Sequence, residues 1–95
     1  MVVRYPEKAA AHKAIRTMRK TPNIHLHHWS YLKEHHTDII PLSAADHRKA
    51  HTMMVYDQEQ MKYRRCSDMV LLDTREEHEQ YLMQLGCALP KLESL

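Results

Sequence analysis

The chain has 95 residues, a formal net charge of +2, one glycine, four prolines and no phenylalanine. So few glycines and prolines leave little room for the tight turns of an all-β fold, and no apolar run approaches the roughly 18 residues of a membrane span. We therefore expect one domain over residues 1–95, α+β in class and mostly helical, in a soluble cytoplasmic protein without membrane contact.

Charge is distributed unevenly along the chain. Residues 1–20 carry six basic side chains and one acidic side chain, a net charge of +5, whereas residues 66–95 carry two basic and six acidic side chains, a net charge of −4. A basic front and an acidic back would orient the protein on a polyanion such as nucleic acid. Two solvated helix faces would produce the same distribution, so charge alone leaves both interpretations open.

The first predicted element is a short basic amphipathic helix over residues 6–20. Pro6 suits the first turn of a helix, and Ala11, Ile15 and Met18 recur at helical spacing on one side. The Thr-Pro pair that follows ends the helix, because the residue before a proline is disfavoured in helical conformation.

A strand and a loop come next. Ile24 and Leu26 alternate with His25 and His27, which is the period of a half-buried strand. This period places His27 on the face opposite Leu26. Residues 29–37 show no sustained period, and we expect them to form a loop between two strands.

The second strand leads into a predicted long helix. Ile39 and Ile40 favour a strand, and Pro41 indicates that this strand is short and lies at an edge. Ser43, with an acidic residue three positions later, is typical of a helix start. Residues 24–65 are thus predicted to form a short β-hairpin followed by a long helix.

A C-terminal helix is predicted over residues 74–86. Thr74 and Glu77 have the spacing of a capping box, and Gly86 is a natural helix stop. The predicted packing face of this helix consists of Tyr81, Leu82 and Leu85. The two cysteines form no CxxC pair, so we expect free thiols.

The chemistry of the chain concentrates in the histidines of residues 24–51. His47 and His51 are one helical turn apart, so their rings lie on one face of the predicted helix. Such a pair supplies two metal ligands, and His27 on the first strand is the candidate for the third. His28 then stands beside the metal, where a general base is needed.

The order HH, D, HxxxH over residues 24–51 resembles the HNH endonucleases, the ββα-metal nucleases, in a branch without the CxxC pairs of a structural zinc. The resemblance assigns metal binding to His27, His47 and His51, the general base to His28, and the central Asn/Asp position to Asp38. Asp38 either holds the second ring nitrogen of a histidine or fixes the loop.

The resemblance implies a metal-dependent endonuclease or nickase that hydrolyses DNA phosphodiester bonds with one divalent ion, which is Mg, Mn, Ni or Zn. A phage or a mobile element is an expected source. Double-stranded DNA is the expected partner, and a homodimer or a larger protein partner would supply specificity. The predicted phosphate contacts are Lys13, Arg16, Arg19, Lys20, Lys33, Arg48 and Lys49.

Two other functions fit the same sequence. A non-catalytic DNA-binding or assembly module would keep an HNH-like metal site for stability alone. A helical interaction protein would carry its histidines without any metal. Metal affinity separates the third hypothesis from the first two, and DNA cleavage separates the nuclease from the non-catalytic module.

Overall fold

The computed structural model describes residues 5–18 and 22–89. In chain order the elements are α1 (Pro6–Ala14), β1 (Ile24–His28), a 3₁₀ turn (Lys33–His35), β2 (Ile39–Ser43), α2 (Ala44–Thr52), β3 (Met54–Asp57), β4 (Lys62–Arg65) and α3 (Arg75–Gln84). The predicted α+β class is confirmed. Helix accounts for 38% of the described residues and strand for 24%, so the expected helical majority is not confirmed.

Helix α1 is shorter than the predicted span to residue 20. The chain leaves the helix after Ala14, and the N–H groups of Arg16 and Met18 bond to carbonyls three residues back, as in tight turns. Ile15 at this point is β-branched, which lowers its helix propensity. The predicted helix is therefore wrong over its last described residues.

Strands β1 and β2 pair antiparallel and form the predicted first hairpin. Adjacent residues of a strand point to opposite faces, so the side chains of His27 and His28 diverge. Pro41 lies opposite Leu26 in a two-stranded sheet, where each strand has an open edge that tolerates the missing N–H.

Helix α2 begins where it was predicted, but it ends at Thr52 rather than near residue 65. Ser43 caps its start, because the Ser43 hydroxyl accepts a hydrogen bond from the N–H of Asp46 at 3.1 Å. At the other end, the Thr52 hydroxyl donates to the carbonyl of Lys49. Such local side-chain bonds compete with helix continuation, and the second half of the predicted long helix is wrong.

The chain after α2 forms a second hairpin of β3 and β4, in which Tyr56 lies opposite Tyr63. Aromatic residues favour strands, and a cross-strand aromatic pair stabilises a hairpin. Met61 adopts a left-handed backbone conformation in the turn (φ 55°), and its carbonyl accepts from the N–H of Tyr31 at 2.8 Å. The second hairpin therefore packs against the loop that follows β1.

Helix α3 has the caps that the sequence predicted. The Thr74 hydroxyl accepts from the N–H of Glu77, and the Glu77 carboxylate accepts from the N–H of Thr74, so the capping box is complete. Gly86 follows the helix with φ +88°, a conformation that favours glycine. Tyr81 and Leu82 are buried as expected, and His78 is buried beside them.

The core lies where both hairpins meet the helices. Its buried residues include Ala11, Trp29, Tyr31, Ile40, Leu42, Ala50, Met54, Tyr63, Leu72, Tyr81 and Leu82. Trp29 and Tyr31 therefore serve as packing residues. Among the described residues, no helix combines the length and the apolar composition needed to cross a membrane.

Candidate metal centre

Three histidines from β1 and α2 converge on one point. His27 is buried at the end of β1, while His47 and His51 occupy successive turns of α2. One ring nitrogen of each lies within 4.8 Å of the other two, and the Nε2 atoms of His47 and His51 are 3.0 Å apart. Ser43 caps the start of α2 directly after β2, and α2 packs on β1, which brings His47 and His51 near His27.

The state of these rings fits a divalent metal. Burial, reinforced by neighbouring histidines, holds the pKa of His27 well below its ordinary value, and the same causes lower the pKa of His47 to about 4. Neutral imidazole is the form that binds metal. The Nδ1 atom of His27 is also buried, without a hydrogen-bond partner among the described residues. A metal would give that nitrogen a partner.

Two further histidines contact the predicted ligands. His25 is exposed, and its Nδ1 atom lies 2.8 Å from Nδ1 of His47. His78 is wholly buried on α3, and its Nε2 atom lies 2.9 Å from Nε2 of His27. Sequence reasoning missed both contacts. His78 precedes Leu82 by one helical turn, so its place on the packing face of α3 was a detectable signal.

Tyr63 is a further neighbour that the sequence did not indicate. The centre of its ring lies 5.8 Å from that of His27, 5.5 Å from that of His51 and 6.0 Å from that of His78. The Tyr63 side chain is buried, and its hydroxyl oxygen lies 2.8 Å from that of Tyr31. The second hairpin thus supplies an aromatic wall for the histidine cluster.

His28, the predicted general base, is not a member of the three-histidine cluster, and its ring bonds to the loop that follows β1. Its Nε2–H donates to the carbonyl of His36 at 2.9 Å, which leaves the lone pair on Nδ1. That Nδ1 atom is buried and has no hydrogen-bond partner among the described residues, and the His12 ring lies 5.5 Å away, centre to centre. Burial lowers the pKa of His28, an effect that the His36 carbonyl opposes.

Asp38 fixes the loop and does so through two contacts. Its Oδ2 atom accepts from the indole N–H of Trp29 at 3.2 Å, and its Oδ1 atom pairs with Arg75 of α3. Of the two roles that the sequence left open for Asp38, these contacts correspond to fixing the loop. The contact with Arg75 was not predicted.

The predicted phosphate contacts lie on several elements. The exposed members are Lys13, Arg16, Lys33, Arg48 and Lys49. Arg48 and Lys49 follow His47 directly on α2. The two other members, Arg19 and Lys20, lie outside the described residues.

Comparisons of the chain with protein-family models, with curated proteins and with solved structures found no match.

Proposed function

We propose that the protein is a metal-dependent HNH-type endonuclease or nickase that hydrolyses phosphodiester bonds in double-stranded DNA. The observation that carries this proposal is the convergence of His27, His47 and His51 on a hairpin followed directly by a helix. A hairpin followed by a helix is the order of elements that the resemblance to the ββα-metal nucleases implies, and it supports the proposal. The first proposed ligand, His27, lies on a strand, and the other two, His47 and His51, lie on the helix that follows. The resemblance implies the same order of ligands.

One divalent ion held by His27, His47 and His51 would supply Lewis-acid stabilisation of the negative charge that develops on the phosphodiester. All three donors are neutral imidazole nitrogens. Imidazole suits zinc and nickel, whereas magnesium and manganese prefer oxygen ligands. Of the four candidate metals, the donor set therefore favours Zn and Ni.

In this proposal His28 takes the proton of the attacking water. The hydrogen bond from Nε2–H to the His36 carbonyl fixes the tautomer, so Nδ1 is the basic nitrogen. The same carbonyl remains bonded when the ring becomes positively charged, which stabilises that state. Because Nδ1 is buried, water reaches it only after the side chains that cover it move aside.

DNA binding in this proposal relies on exposed cations. Arg48 and Lys49 lie on the same helix as two of the predicted ligands, and Lys33 lies on the 3₁₀ turn. Lysine and arginine side chains of this kind contact the phosphate groups of DNA, so the binding depends on salt concentration and has little sequence preference. A second copy of the chain or a larger protein partner would then supply specificity.

A second candidate is a non-catalytic DNA-binding or assembly module that uses the metal for stability. The observation that favours it is the burial of Nδ1 of His28, on the face of β1 opposite His27. In such a module His28 is a core residue that bonds to the loop, and loss of this residue weakens folding without any change in chemistry.

Cleavage of supercoiled plasmid separates the two candidates. The protein is loaded with Zn, Ni, Mn or Mg and compared with His28→Ala and with His28→Gln. The Gln amide can still donate to the His36 carbonyl but cannot act as a base. We expect both variants to lose about 100-fold or more in nicking rate. Equal nicking by wild type and His28→Gln would remove His28 as the base, and DNA binding without nicking under every metal would favour the module.

A further inference from the structure

His78 lies near the start of α3, far along the chain from the predicted ligands, and its side chain is wholly buried. Its Nε2 atom lies 2.9 Å from Nε2 of His27, and the ring centres are 4.9 Å apart. A polar ring in a protein core is costly unless it is bonded. The pairing of two buried imidazoles from separate elements therefore calls for a specific role.

The contact between the two rings restricts where their protons lie. Two neutral imidazole nitrogens at 2.9 Å share one proton, so one ring donates Nε2–H and the other accepts. If His27 donates, its Nδ1 atom keeps the lone pair that a metal requires. In that case His78 carries its own proton on Nδ1. The Nδ1 atoms of His27 and His78 are both buried and have no hydrogen-bond partner among the described residues, and a metal would give the Nδ1 atom of His27 a partner.

A second contact from the same helix supports a role for α3 at the site. Arg75, one turn before His78, pairs with Asp38, which accepts the indole N–H of Trp29. Helix α3 therefore contacts two of the residues that the sequence singled out, His27 and Asp38. Both contacts come from the face of α3 that packs on the first hairpin and its loop.

We propose that His78 is a positioning residue of the metal centre, which accepts the Nε2–H of His27 and so fixes the ring and tautomer with which His27 binds metal. This inference rests on the metal centre of the proposed function. Partners that hold the second nitrogen of a histidine ligand orient its ring, and their loss typically weakens metal binding by about 10–100-fold. The C-terminal helix is then a part of the metal centre.

The test is a titration of Zn²⁺ into wild type and variants by calorimetry, at temperatures where circular dichroism shows each variant folded. We expect His78→Ala to weaken the affinity by about 10–100-fold. The Gln side chain can accept through its carbonyl oxygen, so His78→Gln should recover part of this loss. Leu82→Ala is the matched control, because Leu82 is equally buried on the same helix; it should lower stability and leave the affinity of the folded protein unchanged.

A spectroscopic measurement on the wild type does not depend on any variant. Two-bond ¹H–¹⁵N correlation spectra of the zinc-loaded protein report the state of each ring nitrogen. We expect a protonated Nε2 and a metal-bound Nδ1 for His27, and no metal-bound nitrogen for His78. Metal-bound Nε2 atoms on both rings would make His78 a ligand and overturn its positioning role.

The outcomes also separate this inference from the proposed nuclease. Zinc affinity that is equal in wild type and His78→Ala overturns the role of His78 and leaves the nuclease proposal standing. Plasmid nicking that is absent under every metal, together with zinc binding that depends on His78, overturns the nuclease and supports the positioning role. A wild type that binds none of Zn, Ni, Mn and Mg overturns both.

Discussion

Tyr56 donates a hydrogen bond to the carboxylate of Glu7 across 2.6 Å, which ties the second hairpin to α1. The ammonium of Lys8 lies 4.0 Å from the centre of the same aromatic ring, a cation–π distance. Both contacts join α1 to a hairpin that sequence periodicity did not reveal.

We expect Tyr56→Phe to lower the free energy of unfolding by about 1 kcal/mol, because it removes a hydrogen bond to a partly exposed charged acceptor and keeps the ring under Lys8. Urea denaturation measures the change. Glu7→Gln is the matched control, since its amide oxygen still accepts from the tyrosine hydroxyl and the loss should be smaller. Unchanged stability in Tyr56→Phe would show that this contact does not hold α1.

The metal-free protein should lose stability in acid. Burial first, and neighbouring histidines second, lower the pKa of His47 to about 4 and that of His78 to about 3. In the unfolded chain a histidine titrates near about 6.5, so acid protonates the unfolded state first. The stability is therefore fully present above about pH 6.5 and is lost towards the folded pKa values, by up to about 1.4 kcal/mol per pH unit for each histidine.

Urea denaturation in the presence of a chelator, at about pH 7.5 and about pH 5, measures this loss. A His47→Gln variant removes one of the titrating groups, and the difference between the two pH values should become smaller. An equal difference in wild type and His47→Gln would show that His47 does not titrate differently in the folded and unfolded chain.

Metal should stabilise the folded chain through the three-histidine cluster. At a free concentration about 100 times the Kd, a ligand that binds only the folded state adds about 2.7 kcal/mol, which raises the melting temperature. We expect zinc to produce such a shift in wild type and His51→Ala to lose most of it. His36→Ala is the control, because His36 lies outside the cluster. A zinc shift that survives in His51→Ala would place the metal elsewhere.

Asp38→Asn should separate structure from chemistry at the loop. The Asn side chain still accepts from Trp29 but loses the charge that pairs with Arg75. Because the two side chains are 29% and 40% exposed, we expect a loss of only about 1 kcal/mol in denaturation experiments and no change in zinc affinity. Asp38→Ala loses both contacts and should be less stable than Asp38→Asn. A zinc affinity that falls in Asp38→Asn would contradict a role confined to the loop.

Local sequence signals predicted the elements next to the cluster. The Ser43 cap and the Thr74/Glu77 capping box each depend on residues within one helical turn, so a short sequence window contains all the information. The convergence of His27 with the HxxxH pair was also predictable, because a hairpin followed directly by a helix permits few arrangements.

Features that depend on distant contacts could not be predicted in this way. The hairpin around Tyr56 and Tyr63 has helical periodicity in part, and its conformation depends on contacts with Tyr31, whose N–H donates to the carbonyl of Met61 in the turn. The approach of His78 to His27 joins residues 51 positions apart. Local propensities carry no information about a contact between residues so far apart in the chain. The burial of His78 alone would not have identified His27 as its partner.

The number of residues between two contacting side chains affects which contacts of the cluster form first during folding. His27 and the two histidines of α2 lie within one hairpin–helix unit, so only a short loop must close to bring them together, and longer loops cost more entropy. Because synthesis proceeds from the N-terminus, this unit is complete before α3 is synthesised. We expect metal to bind first with modest affinity and to be held more firmly once α3 docks, which makes release of α3 the first step in losing the ion.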